Sequence, residues 1–226
     1  MITKFEHNTV FVGIKKRVNA NQTAINIRGS GVIVENGRLV TCAHVYNEVP
    51  DQDKNSFFCG VPMRVIGHKT EYQSFDLVKK EMDIKNDIAV FEIKNFDYYK
   101  TQFGFKKTDF MTNNQINGLK RTNKIYFIGF PLANEFLQMN LGITLSASEC
   151  IVGAMKYRDQ DDTIDFILID KLVNPGNSGS PVYKGKKIIG LASGTFNQAH
   201  KIGDMLINVP VSIGIIRPAN YIRELI

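Results

Sequence analysis

The sequence predicts an all-β fold, and three observations support this prediction. Short segments rich in β-branched and aromatic residues recur along the 226 residues and are separated by turn residues, the pattern of a β-sandwich or barrel. A convincing helix pattern occurs only at the end, in residues 217–226, with Pro218 near its start. Residues 94–121 are polar and poorly periodic, so we interpret them as a surface connection between two barrels.

A hairpin signal in the first half leads directly to a histidine. Residues 31–34 and 38–41 flank Glu35-Asn36-Gly37, and Asn-Gly between two strands is typical of a tight turn. The second strand continues into Cys42-Ala43-His44, so His44 is expected at a strand end. A buried histidine with only a structural role is the alternative. His7 lies near the terminus, and His68 and His200 stand in polar, loop-like surroundings.

An acidic residue precedes another predicted strand. Asp87 follows Asn86 at the start of the apolar segment 88–93. A carboxylate at a strand end can orient a histidine, but it can also cap a turn. Asp76 and Asp83 are rival carboxylates.

The segment Asn174-Pro175-Gly176-Asn177-Ser178-Gly179-Ser180-Pro181 places a serine between two glycines. Glycine permits backbone dihedrals that a Cβ would forbid, and it lets the backbone approach a substrate carbonyl closely, as an oxyanion hole requires. The same residue types also build ordinary surface turns, which is the alternative for this segment alone. His44, Asp87 and Ser178 together supply the base, orienting acid and nucleophile of covalent catalysis.

Composition argues against a nucleic-acid-binding protein, a disulfide-rich protein, a metalloprotein and a membrane protein. The net charge of +6 arises from scattered lysine doublets without a long basic run, so we do not expect nucleic acid binding. Three cysteines (Cys42, Cys59, Cys150) are too few for a disulfide scaffold and are not clustered with histidine at metal-ligand spacing, so we predict no metal site. The sequence has no apolar run that could span a membrane and no recognisable signal peptide, and we therefore expect a cytoplasmic protein.

Three motifs together resemble those of trypsin-like (chymotrypsin-fold) serine proteases. They are Thr41-Cys42-Ala43-His44, Asn86-Asp87-Ile88-Ala89-Val90 and Gly176-Asn177-Ser178-Gly179-Ser180-Pro181. The HtrA/DegP-type branch of that family is resembled in three places: residues 174–179, residues 128–131 together with 143–153, and residues 213–220. The chain departs from the family pattern at Ser180 and Cys42, and because it stops at Ile226 we expect no PDZ domain.

The resemblance implies two antiparallel six-stranded β-barrels, in residues 1–105 and 106–226, with a C-terminal helix. It implies a serine endopeptidase without a cofactor, in which Ser178 attacks, His44 transfers the proton and Asp87 orients His44. The backbone N–H groups of Gly176 and Ser178 would bind the oxyanion. Leu172 and Val173 would form the base of the primary specificity pocket, with Ser193, Gly194 and Thr195 as its wall.

The pocket base carries no acidic residue, so a preference for Arg or Lys is not expected, and small or medium aliphatic side chains fit it better. Asn177 stands where secreted trypsins have an aspartate that pairs with a newly cut N-terminus, so activation by propeptide cleavage is not expected. Protein or peptide substrates follow from the resemblance, and a regulatory protein partner is left open. The alternatives are an inactive protease-fold interaction module and a basic nucleic-acid-binding barrel.

Overall fold

The computed structural model describes residues 7–19, 22–66, 69–97, 100, 107–158, 163–202 and 205–226, and it contains two closed β-barrels of six strands each. The first barrel consists of β1 (Thr9–Asn19), β2 (Gln22–Ile33), β3 (Arg38–Thr41), β4 (Phe57–Ile66), β5 (Lys69–Asp83) and β6 (Ile88–Ile93). The second consists of β7 (Lys124–Gly129), β8 (Ser146–Tyr157), β9 (Ile164–Ile169), β10 (Pro181–Lys184), β11 (Lys187–Ile202) and β12 (Met205–Pro218). Their hydrogen-bonded orders are β1-β2-β3-β6-β5-β4 and β10-β11-β12-β9-β8-β7. The pairings are antiparallel, which confirms the predicted fold class.

Short helices lie between and after the strands. They are α1 (Ala43–Asn47), α2 (Asn113–Asn117), α3 (Ala133–Gln138) and α4 (Ala219–Arg223), together with 3-10 turns at Glu35–Gly37 and Asp51–Ser56. The predicted C-terminal helix is confirmed as α4, which begins after Pro218 and packs against β11 and β12. The other three helices have only five or six residues, too few to show a helical period in the sequence. None of the helices in the described ranges has the length and apolar character to cross a membrane.

The predicted hairpin joins β2 to β3. Its turn residues Asn36 and Gly37 have φ angles of 60° and 71°, in the left-handed region that these residue types tolerate. A Cβ on Gly37 would lie 2.5 Å from the Phe96 ring, so this close approach requires glycine. The turn therefore leads into β3, which is followed by the segment that carries His44.

The connection between the barrels is less exposed than the sequence indicates. Phe96, Ile116 and Leu119 are buried, although the segment is polar overall. Thr108 donates a hydrogen bond to the carbonyl of Ile33 in the first barrel, and Met111 N donates to Ile188 O in the second. The interpretation as a mere surface connection is therefore wrong, because a few isolated apolar anchors give no periodic signal. The predicted division between residues 105 and 106 lies outside the described residues, so it stays a prediction.

An aromatic cluster packs the two barrels together beside the main core. Phe11 of β1 lies edge-on to Phe58, Tyr72 and Phe130, with ring centroids 5.9, 5.2 and 5.5 Å away. Phe130 directly follows β7 of the second barrel and is fully buried. On β4, Gly60 pairs with Phe11, and a Cβ there would lie 1.9 Å from the Phe11 ring. The cluster therefore holds the barrels in a fixed relation on one side of their junction.

Replacement of Phe130 by alanine should lower the free energy of unfolding by about 3–5 kcal/mol, because it leaves a cavity among well-packed rings. Urea denaturation monitored by circular dichroism measures this loss. Phe196→Ala is the matched control, since Phe196 is 39% exposed and its truncation should cost far less. Equal losses for both variants would contradict a role of the cluster in joining the barrels.

Candidate active site

His44 and Asp87 form a hydrogen-bonded pair at the ends of neighbouring elements of the first barrel. His44 lies in α1, directly after β3, and Asp87 ends the turn between β5 and β6 with a φ of 57°. His44 Nδ1 lies 3.0 and 2.9 Å from the two carboxylate oxygens of Asp87. The backbone N–H of His44 also donates to Asp87 Oδ1 at 2.9 Å. Asp87 therefore fixes both the backbone and the ring of His44, and it makes Nδ1 the protonated nitrogen of the neutral ring.

The rival carboxylates have other partners. Asp76 forms an ion pair with Lys15, and Asp83 accepts hydrogen bonds from the backbone and the side chain of Asn86. Asn86 is also the acceptor of a hydrogen bond from Arg158 of the second barrel. Asp83 thus helps to hold the turn that carries Asp87. His68 and the side chain of His200 lie outside the described residues.

The pKa values of the pair shift in opposite directions. Burial alone would lower the pKa of His44, but the hydrogen bond and negative charge of Asp87 outweigh it, and the more distant Glu48 adds to their effect. The pKa of His44 therefore rises above its ordinary value of 6.5. Burial alone would raise the pKa of Asp87, but the hydrogen bonds and charge of His44 outweigh it and lower this pKa below 3.8. Asp87 is consequently an anion at neutral pH, as an orienting carboxylate must be.

Ser193 connects this pair to Ser178. The Ser193 hydroxyl donates to Asp87 Oδ2 at 2.6 Å, and the Ser178 hydroxyl donates to the Ser193 carbonyl at 3.0 Å. Ser193 lies at a register shift of β11 between Ala192 and Gly194, where a bulge can redirect a side chain. The structure thus places His44 and Ser193 on the same carboxylate, that of Asp87. Among the hydrogen bonds of the described residues, Ser178 is linked to them through Ser193 rather than through His44.

The loop around Ser178 has the conformation that its glycines predict. Gly176 and Gly179 both have a φ of 88°, and a Cβ on either would lie within 2.2 Å of a backbone oxygen. The N–H groups of Asn177, Gly179 and Ser180 donate to carbonyls within the protein. Within the described ranges the N–H groups of Gly176 and Ser178 have no such acceptor. These two are the donors predicted for the oxyanion hole.

Ser30 fastens this loop to the first barrel, a role that sequence reasoning missed. Its hydroxyl donates to Gly176 O at 2.7 Å and accepts from Phe130 N at 3.0 Å. Its backbone N–H donates to Ser178 O at 2.8 Å, and Thr41 donates to its carbonyl at 2.6 Å. The position of Ser30 between Gly29 and Gly31 is the available sequence signal, since small neighbours permit close approach. A Cβ on Gly29 would lie 2.7 Å from Ser178 O.

The residues predicted for the specificity pocket differ in burial and in their hydrogen bonds. Leu172 is half-buried, whereas Val173 is buried and belongs to the main core. Thr195 accepts from Val173 N at 2.9 Å and donates to Val173 O at 3.1 Å, so the proposed base and wall are tied together. Gly194 and Thr195 pair with Ile215 and Gly214 of β12. Ser193, in contrast, directs its hydroxyl to Asp87 rather than outward.

Asn177 and Cys42 are both buried beside the site. Asn177 is 3% exposed, and its N–H donates to the carbonyl of Asn174. Cys42 is a free, fully buried thiol whose Sγ donates to Ala192 O at 3.4 Å. Burial raises the pKa of this thiol well above its ordinary value, and the nearby charge of Asp87 raises it further. In the sequence, no cysteine stands at metal-ligand spacing from a histidine. In the structure, possible ligand atoms of Cys42, His44 and Asp87 all lie within 4.8 Å of one another.

Comparisons with known proteins identify the family to which the chain is similar. A family model described as a trypsin-like peptidase domain matches residues 29–191. The putative mitochondrial protease Do-like 3 of Arabidopsis thaliana is 27% identical over 183 residues, which cover 81% of this chain and 28% of that protein. The serine protease DegP homolog of Plasmodium falciparum is 25% identical over 190 residues, covering 83% and 19%. The chain thus spans less than a third of the length of these two relatives.

A solved structure has the same fold. The active form of the Rv3671c protease from M. tuberculosis aligns with a TM-score of 0.60 and 16% identity, covering 98% of this chain and 80% of that one. At this identity the similarity establishes the fold alone.

Replacement of Asp87 by asparagine should lower the pKa of His44, because burial then acts without the charge that opposes it. Glu48→Gln should lower it less, and Asp76→Asn, which removes the partner of Lys15, should leave it unchanged. NMR titration of the labelled imidazole rings measures each value. In the wild-type protein, the stability contributed by protonated His44 should be complete below pH 6.5 and lost as the pH rises through the higher folded-state pKa. A His44 pKa at or below 6.5 in the wild-type protein would contradict this account.

Proposed function

Because the chain belongs to the trypsin-like peptidase family, we propose that it is a serine endopeptidase that hydrolyses peptide bonds through Ser178, His44 and Asp87. The observation that carries the proposal is the half-buried Asp87 carboxylate, which holds His44 through its ring and its backbone N–H. That arrangement leaves Nε2 as the unprotonated nitrogen of the neutral ring, which is the form of histidine that a hydroxyl nucleophile needs.

In the proposed reaction, Ser178 Oγ attacks the scissile carbonyl and passes its proton to His44 Nε2. Asp87 stabilises the imidazolium that forms, and it remains ionised. The N–H groups of Gly176 and Ser178 stabilise the negative charge on the carbonyl oxygen. His44 then donates its proton to the leaving amine, and water releases the acyl group by the same steps in reverse.

Attack requires the Ser178 hydroxyl to leave the Ser193 carbonyl and turn toward His44. A substrate bound in extended form along residues 193–195 would offer its own backbone N–H to that carbonyl. Such a substrate would compete with Ser178 for the acceptor and would thereby favour the reactive rotamer. On this basis the resting hydrogen bond is compatible with activity.

The relatives support protein or peptide substrates, since each is named as a protease. We propose an apolar primary pocket in which Leu172 and Val173 provide aliphatic surface and Ser193, Gly194 and Thr195 provide the edge for the substrate backbone. We propose that activity does not require cleavage of the N-terminus, because Asn177 carries no charge that could pair with a newly formed terminal amine. A regulatory protein partner and a cytoplasmic location stay predictions.

The alternative is a protease-fold interaction module without catalytic activity. One observation favours it, because Ser178 donates to Ser193 O and not to His44. In such a module this hydrogen bond would persist in the presence of substrate, and Ser178 would not react. Reactivity of Ser178 therefore separates the two functions.

A fluorophosphonate probe should label the wild-type protein at Ser178, and Ser178→Ala should not be labelled. The matched control is Ser74→Ala, which removes the hydroxyl of an exposed serine on β5 and should label at the wild-type rate. Asp87→Asn should reduce the rate of labelling by about 10⁴-fold, because His44 loses the tautomer that accepts the proton. Intact-mass spectrometry with peptide mapping measures the extent and position of labelling.

Labelling of Ser178→Ala to the wild-type extent would contradict the assignment of the nucleophile. Failure of the folded wild-type protein to react, with or without a peptide ligand, would support the inactive module.

A further inference from the structure

The Cys42 thiol closes the interior side of the His44–Asp87 pair. Cys42 Sγ, a ring nitrogen of His44 and a carboxylate oxygen of Asp87 lie within 4.8 Å of one another, and Nδ1 is the ring nitrogen that faces Asp87. The Cys42 residue is fully buried, whereas the side chains of His44 and Asp87 are 35% and 14% exposed. The cluster is therefore open to solvent on the side of His44 and Asp87 and closed on the side of Cys42.

Thiolate, imidazole and carboxylate are the three kinds of protein ligand that zinc accepts. We propose that Cys42 Sγ, His44 Nδ1 and the Asp87 carboxylate form an inhibitory binding site for Zn²⁺. Binding itself depends only on these three groups. The inhibition rests on the proposed function, because it acts through the histidine assigned there as the base.

The present geometry is close to that of a zinc site. Zinc bonds of about 2.0–2.3 Å in a tetrahedral arrangement separate the ligand atoms by roughly 3.3–3.8 Å. His44 Nδ1 is 2.9 and 3.0 Å from the Asp87 oxygens, so this pair would have to open by about 0.5 Å. Cys42 and His44 are separated by a single residue at the turn from β3 into α1, and the Cys42 side chain would have to turn so that Sγ approaches the ion. A water would take the fourth position, as in zinc sites with three protein ligands.

Charge also favours this occupant. The thiolate and the Asp87 carboxylate carry two negative charges, which balance the two positive charges of Zn²⁺. A neutral assembly avoids the cost of leaving a net charge in a buried site. The Cys42 thiol proton is released to solvent, because the metal binds the thiolate.

Zinc at Nδ1 would reverse the tautomer of His44. The neutral ring now carries its proton on Nδ1, which faces Asp87. When Zn²⁺ occupies Nδ1, the single ring proton resides on Nε2, the atom that must accept the proton of Ser178. The bound enzyme therefore lacks a general base, and removal of the metal by a chelator restores it.

The test measures binding without reference to activity, with Co²⁺ as a spectroscopic substitute for Zn²⁺. Titration of the metal-free wild-type protein should produce a near-ultraviolet thiolate-to-cobalt charge-transfer band, which Zn²⁺ then abolishes by displacement. Cys42→Ser and Cys42→Ala should lack the band and bind Zn²⁺ at least about 10-fold more weakly in calorimetry. Cys150→Ala is the matched control, because it removes another free, buried thiol and should retain both the band and the wild-type affinity.

The outcomes distinguish this inference from the proposed function. If the metal-free protein shows the cobalt band but no peptidase activity, the zinc site is supported and the proposed enzymatic function is contradicted. An active protein that shows no band, or a band that survives in both Cys42 variants, overturns the zinc site alone. A band that depends on Cys42 while Zn²⁺ leaves fluorophosphonate labelling unchanged overturns the inhibition.

Discussion

The arrangement of the site depends on one half-buried anion, the carboxylate of Asp87. It accepts hydrogen bonds from the backbone N–H and the ring of His44 in the first barrel and from the hydroxyl of Ser193 in the second. Hydrogen bonds to charged groups contribute about 1.5–3 kcal/mol each, and a buried carboxylate without them would be costly. The charge of Asp87 therefore couples the two barrels to one another and to the position of His44.

A second set of contacts holds Ser178 at the same junction. Ser30 of β2 contacts Gly176, Ser178 and Phe130, all of which belong to the second barrel. Phe130 in turn packs against Phe11 in the aromatic cluster. The loop that carries Ser178 is consequently held in place by the packing between the barrels. This arrangement explains how the loop can be fixed without the ion pair that a cleaved N-terminus makes in secreted trypsins.

Much of this arrangement could be predicted from the sequence, because strand patterns, the Asn36-Gly37 turn and the glycines around Ser178 are local signals. The link from Ser193 to Asp87 could not, since it joins residues 106 apart and depends on a bulge in β11. The approach of Cys42 to the His44–Asp87 pair was missed for a similar reason, because only the turn into α1 brings the thiol and the ring to the same carboxylate. Isolated buried residues such as Ile116 do not form a periodic hydrophobic pattern, so their burial could not be predicted from the sequence.

The central claim is that Ser178, His44 and the N–H groups of Gly176 and Ser178 converge on one reacting carbonyl. A crystal structure of the protein with a peptide boronate tests this most directly. The account predicts a bond from Ser178 Oγ to boron, one boronate oxygen about 2.7–3.1 Å from both N–H groups, and His44 Nε2 within hydrogen-bonding distance of the adduct. A boronate bound elsewhere, or an adduct with Ser178 whose oxygen lies away from both N–H groups, would contradict it.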